Sequence, residues 1–204
     1  MEFAEAAAAR RTVRDFADRQ VPEEIIHKAL TLGLKAPSYN HLKEWHFILT
    51  GDESVRLAIT QTEEMSSVLT EDTKNAFRDY EPLAKAMYLD ALPKQKRMIM
   101  TAPGLLTVAF QPKTPVDKAS RIYDLNGLAS VWCCIENILL SLAEDDVFGV
   151  TFIPKDTAAV KKALGIPGVF EIACIIPFGY RADSAVVLPQ KTVRLDTVLH
   201  HDTW

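Results

Sequence analysis

Arg10, Arg11, Thr12 and Arg14 place three guanidiniums and a hydroxyl within five residues of the 204-residue chain. Guanidiniums bind phosphate through fixed, two-pronged hydrogen bonds, so this segment can hold a phosphate and a polarised ring edge at once. Taken alone, it reads first as a solvated basic helix end set against the helix dipole. A second segment runs from Ala36 to Phe47 and enters a strand through Trp45. It is either an ordinary helix-to-strand connection or one of the rigidly set loops where ligand contacts concentrate. A third, Ile175 to Tyr180, is an apolar strand ending in Gly179-Tyr180, ahead of a tail carrying Arg181, Lys191 and Arg194. No Gly-rich strand-to-helix turn accompanies these segments, so a nucleotide cofactor would rest on side chains and other backbone amides. Cys133, Cys134 and Cys174 lack any metal-binding spacing, and no metal is expected. They read as small buried residues of a reducing compartment.

The elements that must position these segments follow from hydrophobic periodicity. Met1 to Arg11 reads as a short helix. Pro22-Glu23-Glu24 opens a second, with Pro in the first turn and acids at the positive end of the dipole. Ala36-Pro37 closes it, because a residue before Pro avoids the helical region. Strands are expected over 45–50, 104–110, 147–153 and 170–177, the last so apolar that it belongs in the middle of a sheet. Residues 54–100 read as mostly polar and helical, with breaks at Pro82 and Pro93, and 155–164 as a short helix. The helix expected over 124–143 is apolar nearly all round, interrupted by Glu136 and Asn137. A buried helix explains it better than a membrane span, and its own sheet plus a partner subunit would cover it. The sum is an α+β layered fold: one domain over 1–204, four or five strands, helices on both faces.

Hydrophobic residues make up 48% of the chain and charged residues 25%, enough apolar content for a core without disulfides. Acidic and basic residues number 27 and 23, a net charge of −4 with no run of one sign. Neither nucleic acid nor a membrane is therefore an expected partner. The N-terminus has no hydrophobic signal region, and a cytoplasmic protein is expected.

Together, in this order and at these distances, the three segments resemble the nitroreductase family. Arg10 to Phe16 match Arg-Arg-Ser-x-Arg-x-Phe with Thr12 for Ser. Ala36 to Phe47 keep the length, the Ala-Pro-Ser, the Trp and the Phe of Ala-Pro-Ser-x-x-Asn-x-Gln-Pro-Trp-x-Phe. Gly179-Tyr180 stands where the family has Gly-Tyr-Pro, with Arg181 for Pro. Glu136 to Leu140 is similar to the family's Gln-Asn-x-x-Leu helix.

The resemblance implies a mainly antiparallel sheet and a homodimer with FMN held between the chains. NAD(P)H would be the electron donor, and a nitroaromatic or quinone the small-molecule acceptor, in a ping-pong cycle. It assigns Arg10 and Thr12 to the phosphate or ribityl chain. Arg11 belongs to the implied FMN-binding set as well, although on the helix it would point about 100° away from Arg10, toward solvent. Arg14 is assigned to flavin N1 and the C2 carbonyl, where reduction places negative charge. Pro37, Ser38, Tyr39, Asn40 and His41 would reach the flavin from the partner chain. Thr151, Phe152, Ile153, Pro154 and Lys155 would lie along the flavin edge, one amide facing N5. Pro154 has no N–H, so Lys155 or an earlier residue must serve. Lys191 or Arg194, in a C-terminal arm over 181–204, would close the phosphate site.

His41, Lys43 and Glu44 depart from the family's Asn, Gln and Pro. His41 and the run Met98 to Pro103 are similar to the iodotyrosine deiodinase branch. That branch implies a lid over 55–100, with Glu71 and Lys96 gripping an amino-acid substrate. A reductive dehalogenase-like flavoenzyme is therefore one alternative. A non-catalytic FMN-binding or storage protein is another.

Overall fold

The apolar runs assemble into a four-stranded antiparallel sheet in the order β1-β2-β4-β3, with β1 at Trp45–Leu49, β2 at Gly104–Phe110, β3 at Val147–Gly149 and β4 at Glu171–Tyr180. The structure is a computed structural model, and it describes residues 2–61 and 68–204. The helices are α1 (Phe3–Ala9), α2 (Glu23–Gly33), α3 (Glu53–Gln61), α4 (Glu71–Ala76), α5 (Pro82–Ala91), α6 (Gln95–Thr101), α7 (Asn126–Glu144) and α8 (Thr157–Leu164).

Both faces of the sheet are covered, which is why the central strands are apolar on both sides. Leu106, Val108, Phe110, Cys174, Ile176 and Phe178 face α2 and α7, while Leu105, Ile172 and Ile175 face α3, α6 and α8. In β4, Ala173 and Cys174 both face the first layer because a bulge opposite Val108 and Ala109 resets the alternation. Each fully buried large side chain, Phe110, Phe178, Ile135 and Ile176 among them, contributes about 1.5–3 kcal/mol relative to exposure.

Three boundaries differ from the sequence expectation. First, α1 ends at Ala9, with Arg10 at ψ 113°. Thr12 turns out of the helix to form a bridge with Gly149, and the Val13 amide donates to the Gly149 carbonyl at 3.3 Å. Arg11 is therefore not on a helix, and the angular argument placing it in solvent does not apply. Second, β3 stops at Gly149, where the N-terminal segment docks, and pairing resumes only at a bridge between Phe152 and Ile175. Third, β4 runs on to Tyr180, past the expected end at Pro177. The break expected at Pro82 is present, with Pro82 opening α5 at its first turn and the Glu81 side chain capping the Ala84 amide.

The long apolar helix keeps one exposed face within the protomer, the rest being packed by α1, α2 and the sheet. Ile122–Glu144 is long and apolar enough to cross a membrane by length and composition. In the fold, Val131, Cys134, Ile135, Ile138 and Leu142 form a buried stripe against α2 and the sheet. Ala129, Cys133 and Glu136 are exposed on the other side. Cys133 thus departs from the expectation of three buried cysteines. Burial pushes the thiols of Cys134 and Cys174 up to about 12, where the reactive thiolate is scarce. We expect both to resist maleimide in the native protein and to react after unfolding in urea. Mass spectrometry showing either one labelled in the native state as fast as in urea would contradict this packing.

Candidate functional site

The N-terminal basic segment is held at the end of the sheet by backbone pairing on two sides. Thr12 and Val13 pair with Gly149. Ala17 donates to the Tyr180 carbonyl at 2.9 Å, Phe16 bridges Arg181, and Ala182 donates to the Asp15 carbonyl at 3.1 Å. Two glycines allow this close approach. A Cβ on Gly149 would lie 3.0 Å from the Pro177 carbonyl oxygen, and one on Gly179 would lie 2.7 Å from the Pro103 ring. The Gly-Tyr strand end is thus a packing requirement: residue 179 must leave room for Pro103 and Phe16.

This anchoring brings Arg11, Thr12, Arg14 and Lys191 around one cleft of about 360 Å³. Leu83, Ala84 and Met87 of α5 form its apolar wall, Glu81 ahead of them adds one carboxylate, and Leu188, Pro189 and Gln190 of the tail complete the lining. Arg11 donates to the Leu188 carbonyl, which ties the tail to the basic segment. Arg14 is buried, and its Nη1 donates to Asp90 Oδ2 on α5 at 3.1 Å. Three cations and a hydroxyl beside an apolar wall suit a phosphate-bearing planar ring, and the volume lies within the range of small-molecule sites.

Arg10 does not line the cleft; its Nε pairs with Glu136 on α7 at 3.2 Å. Of the two tail candidates, Lys191 lines the cleft, whereas Arg194 pairs with its neighbour Asp196. Glu71 pairs with Lys74 at 2.7 Å, and neither Glu71 nor Lys96 lines the cleft. Part of the expected lid, residues 62–67, lies outside the described residues.

Pro37, Ser38, Tyr39, Asn40 and His41 lie elsewhere on the protomer, against α7. The Tyr39 amide donates to Ser130 Oγ at 3.0 Å, and its phenol bonds Tyr123. Asn40 and His41 both have positive φ, 50° and 57°. Asn tolerates this conformation, but for His41 it costs about 1–2 kcal/mol, a strain typical of functional loops. The Ser38 hydroxyl is buried without a hydrogen-bond partner among the described residues. Along the 151–155 segment, the Phe152 amide is committed to the Ile175 carbonyl at 2.7 Å. Ile153 faces another cavity, of about 610 Å³, with Phe110, Leu128 and Trp132. Thr151 is half-buried, Pro154 is buried and Lys155 is exposed.

Sequence reasoning missed the charge cluster behind the cleft. Lys94 reaches both Asp90 and Asp15, the latter at 2.6 Å, and Arg97 also pairs with Asp15. Burial opposes the Lys94 charge, but hydrogen bonds and charge from Asp15 and Asp90 outweigh it and raise its pKa. The spacing of Asp90 and Lys94 on adjoining helical turns was a visible local signal; their meeting with Asp15 and Arg14 was not.

The nitroreductase family model matches residues 7–180. An iodotyrosine deiodinase from Haliscomenobacter hydrossis is 24% identical over 183 residues, covering 87% of this chain and 78% of the relative. A crystal structure of oxidized iodotyrosine deiodinase bound to FMN and 3-iodo-L-tyrosine superposes with a TM-score of 0.76 at 23% identity, covering 100% of both chains. An FMN and NADPH-dependent nitroreductase from sphigopyxis sp. strain HMH gives 0.75 at 19% identity, again over 100% of both chains. With its layered fold matching these structures and its family match spanning the basic segment, the loop and the Gly-Tyr strand end, the chain belongs to the nitroreductase family.

Proposed function

We propose that this protein is an FMN-dependent oxidoreductase, a homodimer that passes electrons from NAD(P)H to a small acceptor such as a nitroaromatic or a quinone in a ping-pong cycle. The observation that carries this reading is the grouping of Arg11, Thr12, Arg14 and Lys191 around one cleft with an apolar wall. FMN, when bound, supplies the redox chemistry, taking a hydride from the nucleotide and returning two electrons to the acceptor. Arg11 and Lys191 hold its phosphate, and Thr12 donates its hydroxyl to the phosphate or ribityl chain. Arg14 faces N1 and the C2 carbonyl, where a fixed cation stabilises the charge that reduction adds. With the Phe152 amide engaged and Pro154 lacking one, the amides of Thr151, Ile153 and Lys155 are the candidates to face N5.

Two features of the protomer support the dimer. The tail leaves Leu195 71% exposed and Trp204 fully exposed, apolar surface that a second copy would cover. The loop from Pro37 to His41 carries a buried, unpartnered Ser38 hydroxyl and lines a different part of the protomer from the cleft. A two-chain site unites the loop of one chain with the cleft of the other.

The purified protein is expected to show flavin absorbance that bleaches anaerobically with NADH or NADPH. Flavin that stays oxidised under an excess of both would instead favour a non-catalytic FMN-binding protein. Reductive dehalogenation is the second reading, favoured by the deiodinase relative that matches 87% of the chain. Offering 3-iodo-L-tyrosine, a nitroaromatic and a quinone separately to the reduced protein discriminates the two. Reoxidation with iodide release by the first alone selects dehalogenation.

A further inference from the structure

Arg14 is not a free cation at the cleft. Asp90 Oδ2 takes its Nη1 at 3.1 Å, and both side chains are about nine-tenths buried, at 9% and 12% exposure. The second oxygen of Asp90 accepts from Lys94, so both carboxylate oxygens are committed and the group is held in one orientation. Lys94 is fixed in turn by Asp15, the residue that follows Arg14 in the chain. Three cations, Arg14, Lys94 and Arg97, thus interlock with two carboxylates, Asp15 and Asp90, where α5 meets the basic segment. A guanidinium has five N–H donors, so Arg14 can keep Asp90 and still present donors to a ligand.

Such a carboxylate has a definite electrostatic consequence. Screening is weak at partly buried sites, so Asp90 offsets much of the Arg14 charge felt nearby. We propose that Asp90 is a potential-setting residue: paired with Arg14 at the cleft, it holds the guanidinium in place and offsets its charge, so that bound FMN is a stronger reductant than Arg14 alone would make it. This inference rests on the FMN reading above. Asp90 acts through Arg14 and is a positioning residue, not a catalytic one. The trade favours acceptors that demand a strong reductant over those that any reduced flavin could serve.

The test is the midpoint potential of the FMN-loaded protein, measured by anaerobic equilibration with redox dyes. Asp90→Asn keeps the size and one acceptor but removes the charge. It is expected to raise the affinity for reduced over oxidised FMN about tenfold, a shift of about +30 mV for a two-electron couple. Lys94→Met leaves Asp90 to act on Arg14 alone and should shift the potential the other way. Should Asp90→Asn fail to fold by circular dichroism, the Lys94→Met measurement carries the test. An FMN-loaded variant of either kind whose potential is unchanged, or moves in the opposite sense, overturns the inference alone. A wild-type chain that takes up no FMN overturns the proposed function and this inference with it.

Discussion

Arg11→Ala weakens FMN binding at least tenfold, while Arg10→Ala leaves it nearly unchanged. Arg11 lines the cleft and tethers the tail through the Leu188 carbonyl, so its loss removes one of the proposed phosphate contacts and loosens the segment that carries Lys191. A charge-assisted hydrogen bond contributes about 1.5–3 kcal/mol, which corresponds to roughly 10- to 150-fold in affinity. Arg10 is engaged by Glu136 on α7 instead, at 3.2 Å. Fluorescence titration of the apoprotein with FMN and with riboflavin reads both effects. Riboflavin carries no phosphate and should lose much less affinity than FMN in Arg11→Ala. Equal losses for the two ligands, or a larger loss in Arg10→Ala, would place the phosphate elsewhere.

The largest stability loss is expected from Arg56→Ala, a position that does not line the cleft. Arg56 is 7% exposed and has no carboxylate partner among the described residues. Its Nε donates to the Thr50 carbonyl at 3.0 Å, and its Nη1 to the carbonyls of Ile99 and Ala102 at 3.2 and 2.7 Å. These groups cluster where α6 ends, so the cation caps the negative end of that helix and ties α3 to it. Burial lowers its pKa, yet a guanidinium stays charged at any ordinary pH. Truncation strands three buried carbonyls at about 1–3 kcal/mol each, so at least about 3 kcal/mol should be lost. The midpoint of urea unfolding followed by circular dichroism measures it. Arg56→Lys should recover only part, because an ammonium cannot reproduce the fork that spans both ends of this contact. A midpoint within error of wild type for Arg56→Ala would show that water replaces the guanidinium at little cost.

The central strands were legible in the sequence. An apolar run as short as Gly104 to Phe110, set off by Pro103 and rich in Leu and Val, reads as a strand covered on both faces, and every residue in it is buried. The run ending at Pro177 was equally plain, though the strand extends to Tyr180 because Gly179 lets it pass Pro103. The described part of residues 54–100 was readable as helical with breaks at Pro82 and Pro93, but not where each helix begins. Their breaks depend on caps such as Thr70 and Glu81, whose side chains accept from amides three residues on. The order of the three motifs was enough to suggest the family, since it is a property of the chain and needs no contact.

The sequence by itself therefore determined the layered α+β class, the two central strands and the segments from which a site could be built. Each of these depends on local periodicity or on linear order, which neighbouring residues decide. Only the tertiary structure decided that Arg11 and Arg14, and not Arg10, line the cleft, because the first helix ends at Ala9 and Thr12 then bridges Gly149. It alone selected Lys191 over Arg194 at the cleft, and it alone joined Arg14 to Asp90 across 76 positions of chain. Pairings at that separation depend on how the layers pack, and no spacing along the chain encodes which charge will be buried beside which.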